Sequence, residues 1–182
     1  MNKKIGIVTG SLRKGAFSKS VAKFVAENLP SGFEAEFIEI GHLPLYNQDY
    51  DVSQPPESYA KFREEIKSLD AVLFVTPEHN RSFPAALKNA LDIGSRPYGQ
   101  NVWGGKPGGI ISVSPGNAGG FGANHHLRQV LTFLNVYTLA QPEMYVSGIK
   151  NSLDESGNVN EERTSDYLKS FIDAFTQWIN KF

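Results

Sequence analysis

Hydrophobic and polar positions alternate along this chain in two periods, and the switches between them mark out strands and helices. Ile5 to Val8 is a short apolar run, β-branched at three of its four positions, which predicts a buried strand. An amphipathic pattern begins after Ser18, with Val21, Ala22, Phe24, Val25 and Leu29 on one side, and Ser18 is placed to cap that helix. Phe33 to Ile40 alternates apolar residues with Glu34, Glu36 and Glu39, as a strand near a sheet edge does. Gly41 to Pro56 holds three prolines and reads as a long irregular connection. Helical spacing returns from Ser58 to Leu69, and the unbroken run Ala71 to Val75 predicts a central parallel strand covered on both faces. A helix from about Pro84 to Gly94, a strand from Pro107 to Val113 and a helix from about Ala123 to Leu134 follow. Val136 to Ala140 and Met144 to Val146 supply a fifth strand region. The chain closes with a helix over Glu161 to Phe182, whose stripe Tyr167, Leu168, Phe171, Ile172, Phe175, Trp178 and Ile179 reads as core.

Strand and helix therefore alternate about five times, which calls for a parallel sheet with right-handed crossovers and helices on both faces. Five such units without a dinucleotide fingerprint point to a three-layer α/β architecture of the flavodoxin-like kind, a five-stranded sheet of order 2-1-3-4-5. Residues 1–182 are expected to form one domain, since no repeat, low-complexity tract or boundary interrupts the pattern.

Composition narrows the function classes. The net charge is -1, so nothing draws the whole molecule to nucleic acid or to an anionic membrane. With no cysteine, disulfides, thiolate catalysis and Cys-ligated metals are excluded. No apolar run approaches the ~20 residues of a membrane span, and the chain enters a strand almost at once. The expectation is a soluble cytoplasmic protein without a signal peptide.

The candidate chemistry lies in three loops that follow the first, third and fourth strands, where open parallel sheets bind ligands. The first runs from Thr9 to Ser18 into a helix, so backbone N–H groups and a positive dipole end await an anion. Ser11 and Ser18 add hydroxyls, and Arg13 adds a planar fork suited to phosphate oxygens. It is no nucleoside-triphosphate loop, because Ala16 and Phe17 follow Gly15 where lysine and serine or threonine are needed. Leu12 likewise breaks the dinucleotide fingerprint. The second loop is Pro77-Glu78-His79-Asn80, and the third is Ser114-Pro115-Gly116-Asn117-Ala118-Gly119-Gly120. His125 and His126 are neighbours on a helix and point about 100° apart, so no metal site is expected there.

These three loops resemble those of the NAD(P)H-dependent FMN reductases, a family that includes quinone, azo-dye and chromate reductases. The likeness rests on Gly10-Ser11-Leu12-Arg13 through Ser18, on Pro77-Glu78-His79-Asn80 with Pro84 and Leu87-Lys88-Asn89-Ala90-Leu91-Asp92, and on Ser114 to Gly120 with Leu127-Arg128. The family pattern differs at three places: Ala16 stands for a serine, Ser18 for an asparagine and His79 for a tyrosine.

The resemblance implies that Ser11, Arg13 and Ser18 hold the FMN phosphate. It implies further that Pro77, Glu78, His79 and Asn80, with Ser114, Gly116, Gly119 and Gly120, border the isoalloxazine ring. For Glu78 a structural role as acceptor of a backbone N–H is the other reading, and for Asn80 it is ordering of the loop. The implied activity is ping-pong hydride transfer from NADPH or NADH to FMN, and from FMN to a small-molecule acceptor such as a quinone, an azo compound, free flavin or chromate. No side chain is then needed as a general acid, so no catalytic residue is assigned. A homodimer or homotetramer is implied, with Arg96, His125 and Glu143 candidates for ionic contacts between subunits. Trp103 and Phe121 are candidates for lining the approach or for core. The alternative on this fold is a flavodoxin-type electron carrier that docks to protein partners; such carriers are usually strongly acidic, which this chain is not.

Overall fold

A computed structural model describes residues 2–182. Strands β1 (Lys3–Thr9), β2 (Phe33–Ile38), β3 (Ala71–Pro77) and β4 (Pro107–Val113) lie parallel, and the sheet order is β2-β1-β3-β4-β5. The fifth place differs from the expectation. It is shared by two short strands, β5 (Tyr137–Thr138) and β6 (Met144–Val146), each paired in parallel with β4. Pro142 lies between them and has no N–H to give to a ladder, so the strand breaks there.

Helices α1 (Phe17–Glu27) and α5 (Glu162–Ile179) cover one face; α2 (Glu57–Lys67), α3 (Ala85–Gly94) and α4 (Phe121–Phe133) cover the other. The strand period of two assigns the sheet residues to the two cores. Ile5, Ile7, Leu73, Val75 and Ile111 pack with Val21, Leu168, Phe171 and Phe175. Val8, Val72, Phe74 and Ile110 pack with Tyr59, Phe62, Leu87, Leu91 and Leu127. Each fully buried side chain of this size contributes about 1.5–3 kcal/mol, so truncating Phe74 or Phe171 to alanine would strip one layer of its support. Trp103 belongs to the second core, fully buried with Nε1 donating to the Leu91 carbonyl at 3.1 Å, and does not line an approach. In α5 the stripe is mostly core, but Tyr167 remains 38% exposed.

The connection 41–56 is irregular apart from one 3-10 turn at Gln48–Asp51. A buried asparagine in α3 pins it: Asn89 Oδ1 accepts the Tyr46 N–H at 2.8 Å, and its Nδ2 donates to the Pro44 carbonyl at 2.9 Å. Lys88 beside it forms an exposed ion pair with Asp92, 2.8 Å away. The Leu87 to Asp92 signature thus builds scaffold rather than the site.

Candidate active site

The carboxyl ends of β1, β3 and β4 enclose a cavity of about 200 Å³. Seven of the expected residues line it: Ser11, Arg13, Ser18, Pro77, Glu78, His79 and Ser114. Phe17, Val113 and Pro115 line it too and were not singled out from sequence. Phe17 carried a signal, an aromatic at the first helical position with an arginine four residues before it. The Arg13 guanidinium lies over the Phe17 ring, 5.7 Å from its centroid.

Helix α1 starts two residues earlier than a cap at Ser18 implies, because the Ala16 carbonyl already accepts the N–H groups of Lys19 and Ser20 at 2.9 and 3.3 Å. Ala16 is the N-cap and offers no side-chain acceptor. Ser18 therefore sits inside the first turn and caps nothing. Its hydroxyl is 1% exposed and has no hydrogen-bond partner. No acidic residue occupies that first turn either. A helix N-terminus without its own anion, a buried hydroxyl without a partner and an exposed guanidinium converge on one small cavity. Such a donor set fits a phosphate head.

The other two loops use their polar groups on each other. The chain reverses after His79 in a two-residue turn whose central residues, Asn80 and Arg81, have φ of 50° and 65°. His79 and Ser82 exchange backbone hydrogen bonds across it at 2.8 and 2.9 Å. Asn80 thus sits in the turn that shapes the loop and is not among the residues lining the cavity. The Glu78 carboxylate accepts the Ala123 N–H at 3.1 Å, in the first turn of α4, and Arg81 approaches its other oxygen at 3.3 Å. In the third loop Ser114 Oγ accepts the Gly116 N–H at 3.0 Å. Gly119 and Gly120 have φ of 57° and 79°; a Cβ on the first would lie 2.8 Å from the Tyr145 backbone, and one on the second 2.9 Å from Ser112 Cβ. Gly116, Gly119 and Gly120 are not among the residues that line the cavity.

Beyond Gly120, Phe121 is 52% exposed, its ring centroid 4.3 Å from that of His125 and 5.4 Å from that of Tyr145. His125 Nε2 is 2.9 Å from the Tyr145 hydroxyl and 3.9 Å from Glu143. Burial, and then the Glu143 carboxylate, push the Tyr145 hydroxyl up to about 12, so it stays protonated at physiological pH. His126 turns instead to Ser82 Oγ at 3.1 Å, so the two imidazoles serve different partners. Arg96 joins neither; it lines a separate groove with Tyr46 and Phe133.

Comparison with known proteins places this architecture. A quinone reductase of Pseudomonas putida is 51% identical over 96% of this chain and 94% of its own. A 2-hydroxy-1,4-benzoquinone reductase of a Burkholderia species is 48% identical over 97% and 96%. The solved structure of FerB, a flavoenzyme NAD(P)H:(acceptor) oxidoreductase of Paracoccus denitrificans, superposes with a TM-score of 0.91 at 37% identity, covering 98% of both chains. Residues 3–151 match the family described as NADPH-dependent FMN reductase. With that match over most of its length, the chain belongs to the NADPH-dependent FMN reductase family and is an oxidoreductase that works with FMN and NAD(P)H.

Proposed function

We propose that this enzyme is a quinone reductase that carries two electrons from NAD(P)H to the quinone in a ping-pong sequence. The observation that carries the reading is that two relatives alike over nearly the whole chain bear quinone-reductase names. The phosphate of FMN is seated by Ser11, Arg13, Ser18 and the free N–H groups of the first turn of α1. Arg13 supplies charge at an exposed position, and the Ser18 hydroxyl supplies a buried donor whose partner is the phosphate. Pro77 to Asn80 and Ser114 to Gly120 border the ring, positioned by the turn at Asn80–Arg81 and by the close approach of Gly119 to Tyr145. Bound FMN supplies the hydride chemistry, so the protein needs no general acid among these residues. The same reading makes azo compounds, free flavin and chromate the acceptors to compare, the cytoplasm the compartment, and a homodimer or homotetramer the working state.

The test is an anaerobic absorbance titration of protein loaded with FMN and desalted. NADPH or NADH is expected to bleach the flavin band fully, and a benzoquinone to restore it in one two-electron step. Steady-state rates are expected to give parallel double-reciprocal lines. A band that NAD(P)H leaves untouched would sink the reading, and a quinone turned over more slowly than azo compounds or chromate would reassign the acceptor.

A further inference from the structure

Among the residues that line the cavity, Glu78 is the sole carboxylate. An acid in the wall of a cavity built to receive an anion opposes that anion unless its charge answers to something else. Here it does. The side chain is only 14% exposed, and its Oε2 accepts the Ala123 N–H at 3.1 Å, from the first turn of α4, forty-five positions away in sequence. Helix α4 has glycine at its N-cap and no side-chain cap of its own, so Glu78 serves as its cap from outside. The backbone leaves room for this. A Cβ at position 122 would come within 2.9 Å of both Glu78 Oε2 and the Arg81 carbonyl, and glycine stands there.

We propose that Glu78 is a positioning residue whose carboxylate latches loop 77–82 to the N-terminus of α4, so fixing the two ring-side loops relative to the phosphate seat and setting the ease with which the bound cofactor accepts electrons. The latch joins loop 77–82 to the N-terminal turn of α4, and Ser82 meets the same helix one turn on, its Oγ 3.1 Å from His126 Nδ1. It also holds one negative charge at the cavity wall and neutralises the positive end of α4, both of which oppose the arrival of further electrons nearby. The role of this latch in FMN chemistry rests on the proposed seat, whereas the latch itself does not.

The experiment compares wild type, Glu78→Ala and Glu78→Gln by three readouts: amide hydrogen exchange of cofactor-free protein, FMN affinity by fluorescence quenching, and the midpoint potential of bound FMN. Glutamine keeps an oxygen that can accept the Ala123 N–H but removes the charge. Glu78→Ala is expected to speed exchange at Ala123 and through 77–82 and to weaken FMN about tenfold or more, the loss expected of a charge-assisted hydrogen bond. Glu78→Gln is expected to restore exchange and affinity nearly to wild type while moving the midpoint potential upward. Unchanged exchange in Glu78→Ala, or an unchanged potential in Glu78→Gln, overturns the proposal. Failure of wild type to retain FMN would instead strike the proposed function, and would be seen before either variant is made.

Discussion

The side of the cavity proposed to take the FMN phosphate and the side proposed to border its ring, the phosphate side and the ring side, are built by opposite means. On the phosphate side every group comes from one stretch, Ser11 to Ser18, and its contacts are local or missing: Ser11 Oγ accepts the Arg13 N–H at 3.4 Å, the Ser18 hydroxyl has no partner and α1 carries no capping side chain. On the ring side the groups come from loops far apart in sequence and are engaged with one another. Glu78 takes the Ala123 N–H, Ser114 takes the Gly116 N–H, and His79 closes on Ser82. Groups left without a partner in a folded chain await a ligand, because burial without a hydrogen bond costs free energy. Groups that satisfy each other determine shape. On the proposed reading, then, the phosphate side supplies affinity and the ring side supplies geometry.

The largest effect should come from breaking the geometry. Gly119→Ala places a Cβ at a φ of 57° and within 2.8–2.9 Å of the Tyr145 backbone and Cβ. The left-handed conformation and the overpacking together should destabilise the protein by about 2–4 kcal/mol. Urea denaturation of cofactor-free protein measures it. A loss below about 1 kcal/mol would show that the third loop can move away from Tyr145 freely, and the ring side would then not be the rigid half.

The same division explains which parts of the molecule were legible in the sequence. Local periodicity is enough for the order and faces of the elements, so the sheet order and the helix layers could be read directly. That Ser11, Arg13 and Ser18 would line one cavity was legible for the same reason, since the hydroxyls, the guanidinium and the helix start fall within a few residues. What could not be read depends on contacts between distant segments. Nothing near Asn80 says that it turns the chain at positive φ and leaves the cavity, and nothing near Glu78 names Ala123 as its partner. Asn89 was grouped with site motifs, yet its amide holds residues 44–46 of a connection more than forty positions earlier. Ser18 lines the cavity, but not as the helix cap that its sequence position suggests. The helix starts at Phe17, and the Ser18 hydroxyl is left free.

Arg13→Ala sharpens the contrast from the other side. Arg13 is exposed, its guanidinium resting over Phe17. Its removal should change the stability of cofactor-free protein by no more than about 0.5 kcal/mol. FMN affinity should fall about tenfold, the low end for a charge-assisted contact because solvent screens the guanidinium. Titrations at low and high salt check the cause: wild-type affinity should drop with salt more steeply than that of the variant. Equal salt slopes would remove Arg13 from the phosphate contact.

Ser18→Ala should give the smallest shift and the most specific one, because its two effects have opposite signs. In cofactor-free protein the substitution deletes a buried hydroxyl that lacks a partner, which should stabilise the fold by about 1 kcal/mol, the low end of the penalty for an unsatisfied buried group. In the FMN complex it deletes a donor that the phosphate would engage, weakening binding by about 0.5–1.5 kcal/mol. The melting temperature of the empty protein should therefore rise by about 2–4 °C, while the further rise on saturation with FMN shrinks. The gap between the two melting temperatures narrows chiefly from below, because in the saturated protein the gain in the fold and the loss in binding nearly cancel. If Ser18 were only a helix residue, both temperatures would move together and the gap would stay as it is in wild type. If the hydroxyl found a partner in the empty protein, the lower temperature would fall instead of rising, and the phosphate side would lose the unengaged group that sets it apart from the ring side.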